Sequence, residues 1–576
     1  MKYSTLFVTI FIFLGIVGCS DIFERQPLDK ISSAAVWEDL QLIDANLADL
    51  YVSTPFRYSE NSSRMTQPSY MGAEAYVHNA ADSWIDGSLN ETGGVWEYWA
   101  YDQIRRINTF IQNVSQSPID EDIRERRLAE ARFLRAYAFF EMVKRYGGVP
   151  IITEAQSVND PEEELFVSRN SEKEVYDFIA QECDAVATSL HNVSDEFGRV
   201  TEFTALALKS RAMLYAASIA TFGNQQLDGL LGFPSSEATS YWQKSYDASK
   251  EIINSGNFSL YNGKPDKAQN FQHLFLDEQN TEIIFAKVYH GRDKVGHSYD
   301  FYNYPAGFEN YWGAATSVYL ETIESFEYSD GSSGKLNYED LQSGLVDFDN
   351  LFENKDPRFF ASILFPEAPF KDSRVRTHGG TFYNGEYIIA PTLIGDYNGL
   401  PWYGQSIAFA KAGTHFPVKK MINELEDQAL EGESHTDFIV YRYGEILLNL
   451  AEAAFEIGKT DEALEYINQV RARAGIASLT DLDRNKIRQE RRVELAFEEH
   501  RFWDLRRWRI AVEELSKEMH KLSSLDFDWD TKSYKVTIGP VDPIIRNFKE
   551  AYYYFPIGIT RISNNPNLAP ENPGYN

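Results

Sequence analysis

Residues 447–470 read LLNLAEAAFEIGKTDEALEYINQV, and their spacing carries the fold. Leu447, Leu450, Ala451 and Ala454 recur three or four apart, and Ala463 and Ile467 repeat the interval after Gly458. That is the period of a helix with one apolar face. The glycine between the two runs marks a turn, and the small residues leave room for two helices to cross closely. Such a pair cannot bury its face alone, so several must stack. The spacing predicts a mainly α scaffold.

The positions match a tetratricopeptide-like repeat, and about four helix pairs are expected, with long irregular loops and a few short strands. Working outward, residues 121–146 place Leu128, Ala131, Leu134, Ala138 and Met142 on one stripe. Acidic residues open this helix and Lys144 and Arg145 close it, as the helix dipole favours. Gly147, Gly148 and Pro150 then stop it. Similar helices are predicted over 36–51, 96–114, 171–190, 203–221 and 238–255. Between 256 and 436 the helical period fails and Gly, Pro, Asn and aromatic clusters take over, with one strand-like run at 282–288. An irregular insertion of that length is functional or disordered, and its aromatic content argues for function. Tetratricopeptide-like helices are expected over 437–510. Parts 19–255 and 256–576 are read as one interlocked unit.

The 576 residues are 43% hydrophobic, enough for a large core. A formal charge of −31 argues against nucleic acid as a partner. At the N-terminus, Lys2, the apolar run Leu6–Val17 and Gly18-Cys19 read as a secretory signal over 1–18, too short to span a bilayer. Ile16-Val17-Gly18-Cys19 resembles a bacterial lipobox, which makes Cys19 the expected lipidation site and membrane anchor. With Cys19 lipidated, Cys183 has no cysteine to pair with.

Several further blocks stand in a fixed order. They are Trp99…Ile104…Asn108, Glu130–Ala136, Gly147–Pro150, Arg442–Asn449 with Ala451–Ala453, Asn468–Gly475, Glu490–Glu498, Arg501–Trp508, and Asn565–Leu568 with Asn572–Tyr575. This set resembles the SusD/RagB family of Bacteroidota outer-membrane nutrient-binding lipoproteins. The resemblance implies a non-catalytic lipoprotein facing the cell exterior. It would capture oligosaccharides and deliver them to a SusC-type TonB-dependent transporter, without a cofactor. The alternatives are the same architecture binding peptides or another nutrient, or a surface-anchored all-α glycoside hydrolase.

Glu490, Glu494 and Glu498 are read as four apart on one helix beside Arg491, Arg492 and Arg501, a structural polar network. The chemistry is expected elsewhere. By region, the family's ligand loops correspond here to stretches holding Trp84 and Asp86; Tyr299, Tyr302, Tyr311 and Trp312; and Trp402 and Tyr403. Trp84 and Trp312 are expected to meet on one face and stack on successive sugar rings, with Tyr299 and Asp86 contacting hydroxyls. Trp96, Trp99, Trp503 and Trp508 are read as core residues on helical patterns. Asp526–Asp530 alternates carboxylates like a calcium loop, but Thr531 and Thr537 stand where glycine and a bidentate glutamate belong, so no metal is expected.

Overall fold

The computed structural model describes residues 35–576 apart from 58–59, 61, 63–64, 78–79, 81, 95, 194–195, 291–294, 306, 309–311, 390–394, 398–399, 403–412, 426–428, 542–544 and 576. Cys19, Tyr311 and Tyr403 lie outside the described residues. The long helices form where the period placed them, the first two starting about four and five residues later than expected: α1 (Leu40–Ser53), α2 (Tyr101–Val114), α3 (Glu121–Tyr146), α4 (Glu172–Ser189), α5 (Glu202–Phe222) and α6 (Ala238–Asn254). Their ends are chemically marked. Asp120 accepts from the amides of Asp122 and Ile123 at the start of α3, and Gly147 turns the chain out at φ 70°. Ser171 and Glu174 form a reciprocal capping box on α4.

The quoted stretch forms α7 (Tyr443–Glu456) and α8 (Thr460–Ala474), with Gly458 at φ 83° in the turn between them. Helices α3 to α8 pack in succession, each against the next, so α6 carries the stack across the irregular middle onto α7. Small side chains make this possible: Ala205, Ala207, Ala212, Ala216 and Ala217 on α5 are fully buried. Ser210 and Ser249 meet at 2.8 Å between α5 and α6, and Asn449 of α7 donates to Ser210 at 3.1 Å.

The middle region differs from a featureless loop. It holds short helices and strands, among them β1 (Ala75–Val77) paired with β3 (Thr316–Val318), and β2 (Ile283–Lys287) paired antiparallel with β6 (Phe438–Arg442). The helices expected from 437 therefore begin one strand later. A four-stranded sheet runs in the order β8 (Ser533–Pro540), β7 (His520–Asp528), β4 (Gly380–Tyr383), β5 (Glu386–Ile389). The calcium-like carboxylates sit at the end of β7, where Asp528 accepts from the Thr531 amide at 2.9 Å and closes the hairpin turn.

The polar network exists, with different partners. Helix α9 (Arg484–Glu494) ends before Glu498, which follows in a segment where Phe497 has φ 63°. Glu494 is fully buried and takes Arg442 at 2.7 Å and Arg358 at 2.9 Å, with Arg473 closer still. Arg442 also holds Glu282 at 2.9 Å and Glu498 at 2.7 Å, while Arg358 and Arg471 hold Glu490 at 2.6 and 2.9 Å. These guanidinium charges hold the Glu494 carboxyl well below the usual range despite its burial. Arg491 pairs instead with Asp504 of α10 (Arg501–Arg507) at 3.1 Å.

One hydrophobic core runs from Ile43 to Tyr575. The C-terminal tail closes it: Asn572 accepts from Arg169 at 2.8 Å and donates to the carbonyls of Tyr146 and Phe555 at 2.9 and 2.7 Å. Cys183 on α4 is fully buried, and desolvation pushes its thiol pKa well up. Among the described residues, no helix is long and apolar enough to cross a membrane.

Candidate functional site

The best-defined aromatic site is built on the short helix Tyr299–Asn303. Lys420, Asn423, Gly432 and Ser434 bond to this helix and its flanks from outside. The buried Tyr299 donates to the Lys420 carbonyl at 3.0 Å, with the Arg57 guanidinium 4.8 Å over its ring. Asp300 accepts from the Asn423 amide at 3.1 Å, Tyr304 donates to the Asn423 carbonyl at 2.5 Å, and the Gly432 amide donates to Ser298 at 2.9 Å. The clamp leaves Tyr302 on the outer side. Its half-buried ring lies 6.1 Å from that of half-buried Trp312, at 69°. The Tyr302 hydroxyl donates to Glu431 at 3.2 Å, and partial burial followed by that carboxylate raises its pKa. Two aromatic rings at an angle beside a carboxylate suit a ligand with apolar C–H faces and hydroxyl edges.

The other expected residues separate from this pair. Trp84 is 1% exposed, tilted 4.0 Å from Phe555 and edge-on to Phe502 and Tyr552. It belongs to the core and has no face for a sugar. The turn-forming residues around it keep the backbone out of a helix, and Phe502, Tyr552 and Phe555 receive the indole. Tyr299 is likewise buried and anchors the site from beneath. Asp86 is exposed and accepts from the Ser88 amide at 2.8 Å. Trp402 lies in the strand Leu400–Trp402, paired with Gly395–Tyr397.

Trp503 and Trp508 are core residues on or beside α10. Trp96 is also core, but it sits in a turn at φ 72° before α2 rather than on a helix. Trp99, read as core, is half-buried at a groove of about 380 Å³ together with Tyr101, Asp102, Arg105 and Asn564. Arg561 covers its ring at 4.9 Å and is itself paired with Glu97 at 2.7 Å. Glu431 carried no sequence signal, because it reaches Tyr302 from 129 residues away.

A cavity of about 240 Å³ lies deeper, between α3 and the segment before α10. Among its lining charges, Glu141 holds Lys144 at 2.5 Å and Arg145 at 2.6 Å. Burial lowers the Lys144 pKa to about 8.

The SusD family model matches residues 281–575, more than half of the chain. The chain belongs to the SusD family. A second model, described as starch-binding associating with outer membrane, matches residues 24–214. SusD-like protein P2 of Formosa agariphila is 25% identical over 608 aligned positions covering all of both chains. A SusD-like protein of Bacteroides ovatus is 23% identical over 530, covering 88% of this chain and 82% of that one. Among solved structures, a SusD-like protein of Bacteroides fragilis superposes with a TM-score of 0.73 at 26% identity, over 96% of this chain and all of the other. Surface glycan-binding protein A of Bacteroides uniformis shares the SusD fold at 19% identity, with a TM-score of 0.62 over 92% and 99% of the two chains.

Proposed function

We propose that this protein is a non-catalytic glycan-binding lipoprotein of the outer-membrane surface. It is tethered through Cys19, captures oligosaccharides and hands them to a SusC-type TonB-dependent transporter. In this reading the stacked helices act as tetratricopeptide-like pairs, a rigid platform for the ligand loops. Membership of the SusD family supports the reading, as do the second matching model, described as starch-binding, and a solved neighbour named for glycan binding. The observation that carries it is the angled Tyr302–Trp312 pair with Glu431 at its edge. Tyr311, adjacent in sequence, and Asp86, Trp402 and Tyr403 remain candidates for further contacts.

Calorimetry with a panel of neutral oligosaccharides tests the site. Affinity should be modest, on the order of micromolar to millimolar, or about 4–8 kcal/mol. Trp312→Ala and Tyr302→Ala should each weaken binding by about 1–3 kcal/mol, with circular dichroism unchanged. No new reducing ends should form. Wild-type affinity in both variants would move the site elsewhere, and turnover of the oligosaccharide would overturn the non-catalytic reading.

A further inference from the structure

Arg492 and Arg501 do not join the buried network that their neighbours Glu490 and Glu494 form. Both face a separate pocket of about 130 Å³, bounded by the ends of α9 and α10, the Gly72–Ala73 turn and the Lys335 loop. Arg492 donates through one nitrogen to the Glu321 carbonyl at 3.0 Å, while its Nε is buried without a partner. Among the described residues it has no carboxylate within ion-pair distance. Arg501 reaches Glu514 at 3.4 Å.

The carboxylates around this pocket are committed elsewhere. Glu321 is bound by His520, whose amide and Nδ1 lie 3.0 and 2.6 Å from it. Glu514 is held more closely by Lys517, at 2.5 Å, than by Arg501. Glu74 is buried, and desolvation raises its pKa to about 7, so near neutrality it supplies less than a full negative charge. Glu324, also near Arg492, is held by Lys335 at 2.6 Å. The two guanidiniums therefore share one space in which Arg492 has no ion pair of its own among the described residues and Arg501 has a long one. Burial and then the Arg492 charge lower the Arg501 pKa to about 9. Arginine keeps its proton in proteins, and a buried unpaired cation is costly. A counter-anion relieves both difficulties.

We propose that this pocket is a binding site for a single tetrahedral oxyanion, with Arg492 and Arg501 as its floor and the more exposed Lys335 and Lys517 at its rim. Guanidinium forks match the oxygen spacing of phosphate and sulfate, and the ammonium groups add charge without fixed geometry. The space exceeds that of one water several-fold. Glu321 and Glu514 oppose the anion, so binding depends on His520 and Lys517 keeping them occupied. The site is independent of the aromatic pair, and its test does not involve a neutral glycan.

The test uses inorganic phosphate and sulfate as probes, titrated by calorimetry and by thermal melting, with sodium chloride at equal ionic strength as the control. Wild type should bind saturably and melt at a higher temperature than in chloride. Arg492→Gln, which keeps a donor for the Glu321 carbonyl, should lose at least tenfold in affinity. A Lys335→Ala/Lys517→Ala double variant alters two exposed side chains and frees Glu324 and Glu514 to oppose the anion, which keeps the test open if the arginine variant misfolds. It should lose at least threefold. Glucose 6-phosphate binding tighter than inorganic phosphate would assign the oxyanion to a larger molecule; the reverse order would assign it to the free ion. A wild-type response no greater than that to chloride, or undiminished affinity in the variants, would overturn the proposal.

Discussion

At the scale of single residues, the instructive case is Trp84. Its neighbours Asn79, Asp82, Asp86 and Gly87 are turn formers, and they correctly foretell that no helix passes through. They say nothing about which way the indole points, because burial depends on Phe502, Tyr552 and Phe555, more than 400 residues along the chain. Trp84→Ala should therefore cost about 3–5 kcal/mol of stability, read from the shift of a urea midpoint. A loss under 1 kcal/mol would return Trp84 to the surface. Trp312, by contrast, stays half-buried beside Tyr302, and local sequence carries no sign of the Glu431 carboxylate that reaches Tyr302.

Glu74 gives a residue-level effect with a pH signature. Its carboxyl pKa is raised from 4.5 to about 7 in the folded chain, first by desolvation, so the fold holds this proton more tightly than the unfolded chain does. The contribution is fully present below about pH 4.5 and is lost as pH rises through 7. Glu74→Gln removes the titration and keeps an acceptor for the Phe497 amide, which now donates to Glu74 at 3.1 Å. The variant should lie within about 1 kcal/mol of wild type near pH 5 and exceed its stability at pH 8, by up to roughly 3 kcal/mol. Parallel melting curves for the two proteins from pH 5 to 8 would rule this out.

At the scale of elements, legibility followed length and self-sufficiency. Helices α3, α4 and α5 carry their own apolar period and their own caps, so local sequence suffices to place them within a residue or two. The elements between 256 and 436 are mostly four to seven residues long or shorter. At that length no period can be recognised, and a helix such as Tyr299–Asn303 persists because Lys420, Asn423, Gly432 and Ser434 bond to it and its flanks. The same logic explains Glu498. Spacing four residues apart suggests one helix, yet α9 stops at Glu494, and Arg442 gathers both carboxylates from the end of β6.

At the scale of the whole molecule, the early helices and the C-terminal tail are parts of one packed body. Asn572 is fully buried and links Arg169, Tyr146 and Phe555. Asn572→Ala strands two carbonyls and loosens a guanidinium, and should cost about 2–4 kcal/mol. Because the core is continuous, the loss should move a single calorimetric transition to lower temperature. A second, separate transition would mean that the two parts of the chain fold independently.

The burial of Cys183 has a practical side. A thiol shut inside α4 and held in its protonated form is a poor nucleophile. Protein prepared from residue 20 onward therefore carries no thiol that a maleimide dye reaches while folded. A cysteine placed at Leu425, 86% exposed and two residues past the Asn423 contact, would take the dye alone. Its fluorescence would report on the surroundings of the Asn423 contact when ligand is added, and the silent Cys183 would begin to react when the body unfolds. One chain thus offers two clocks, for the loop and for the core.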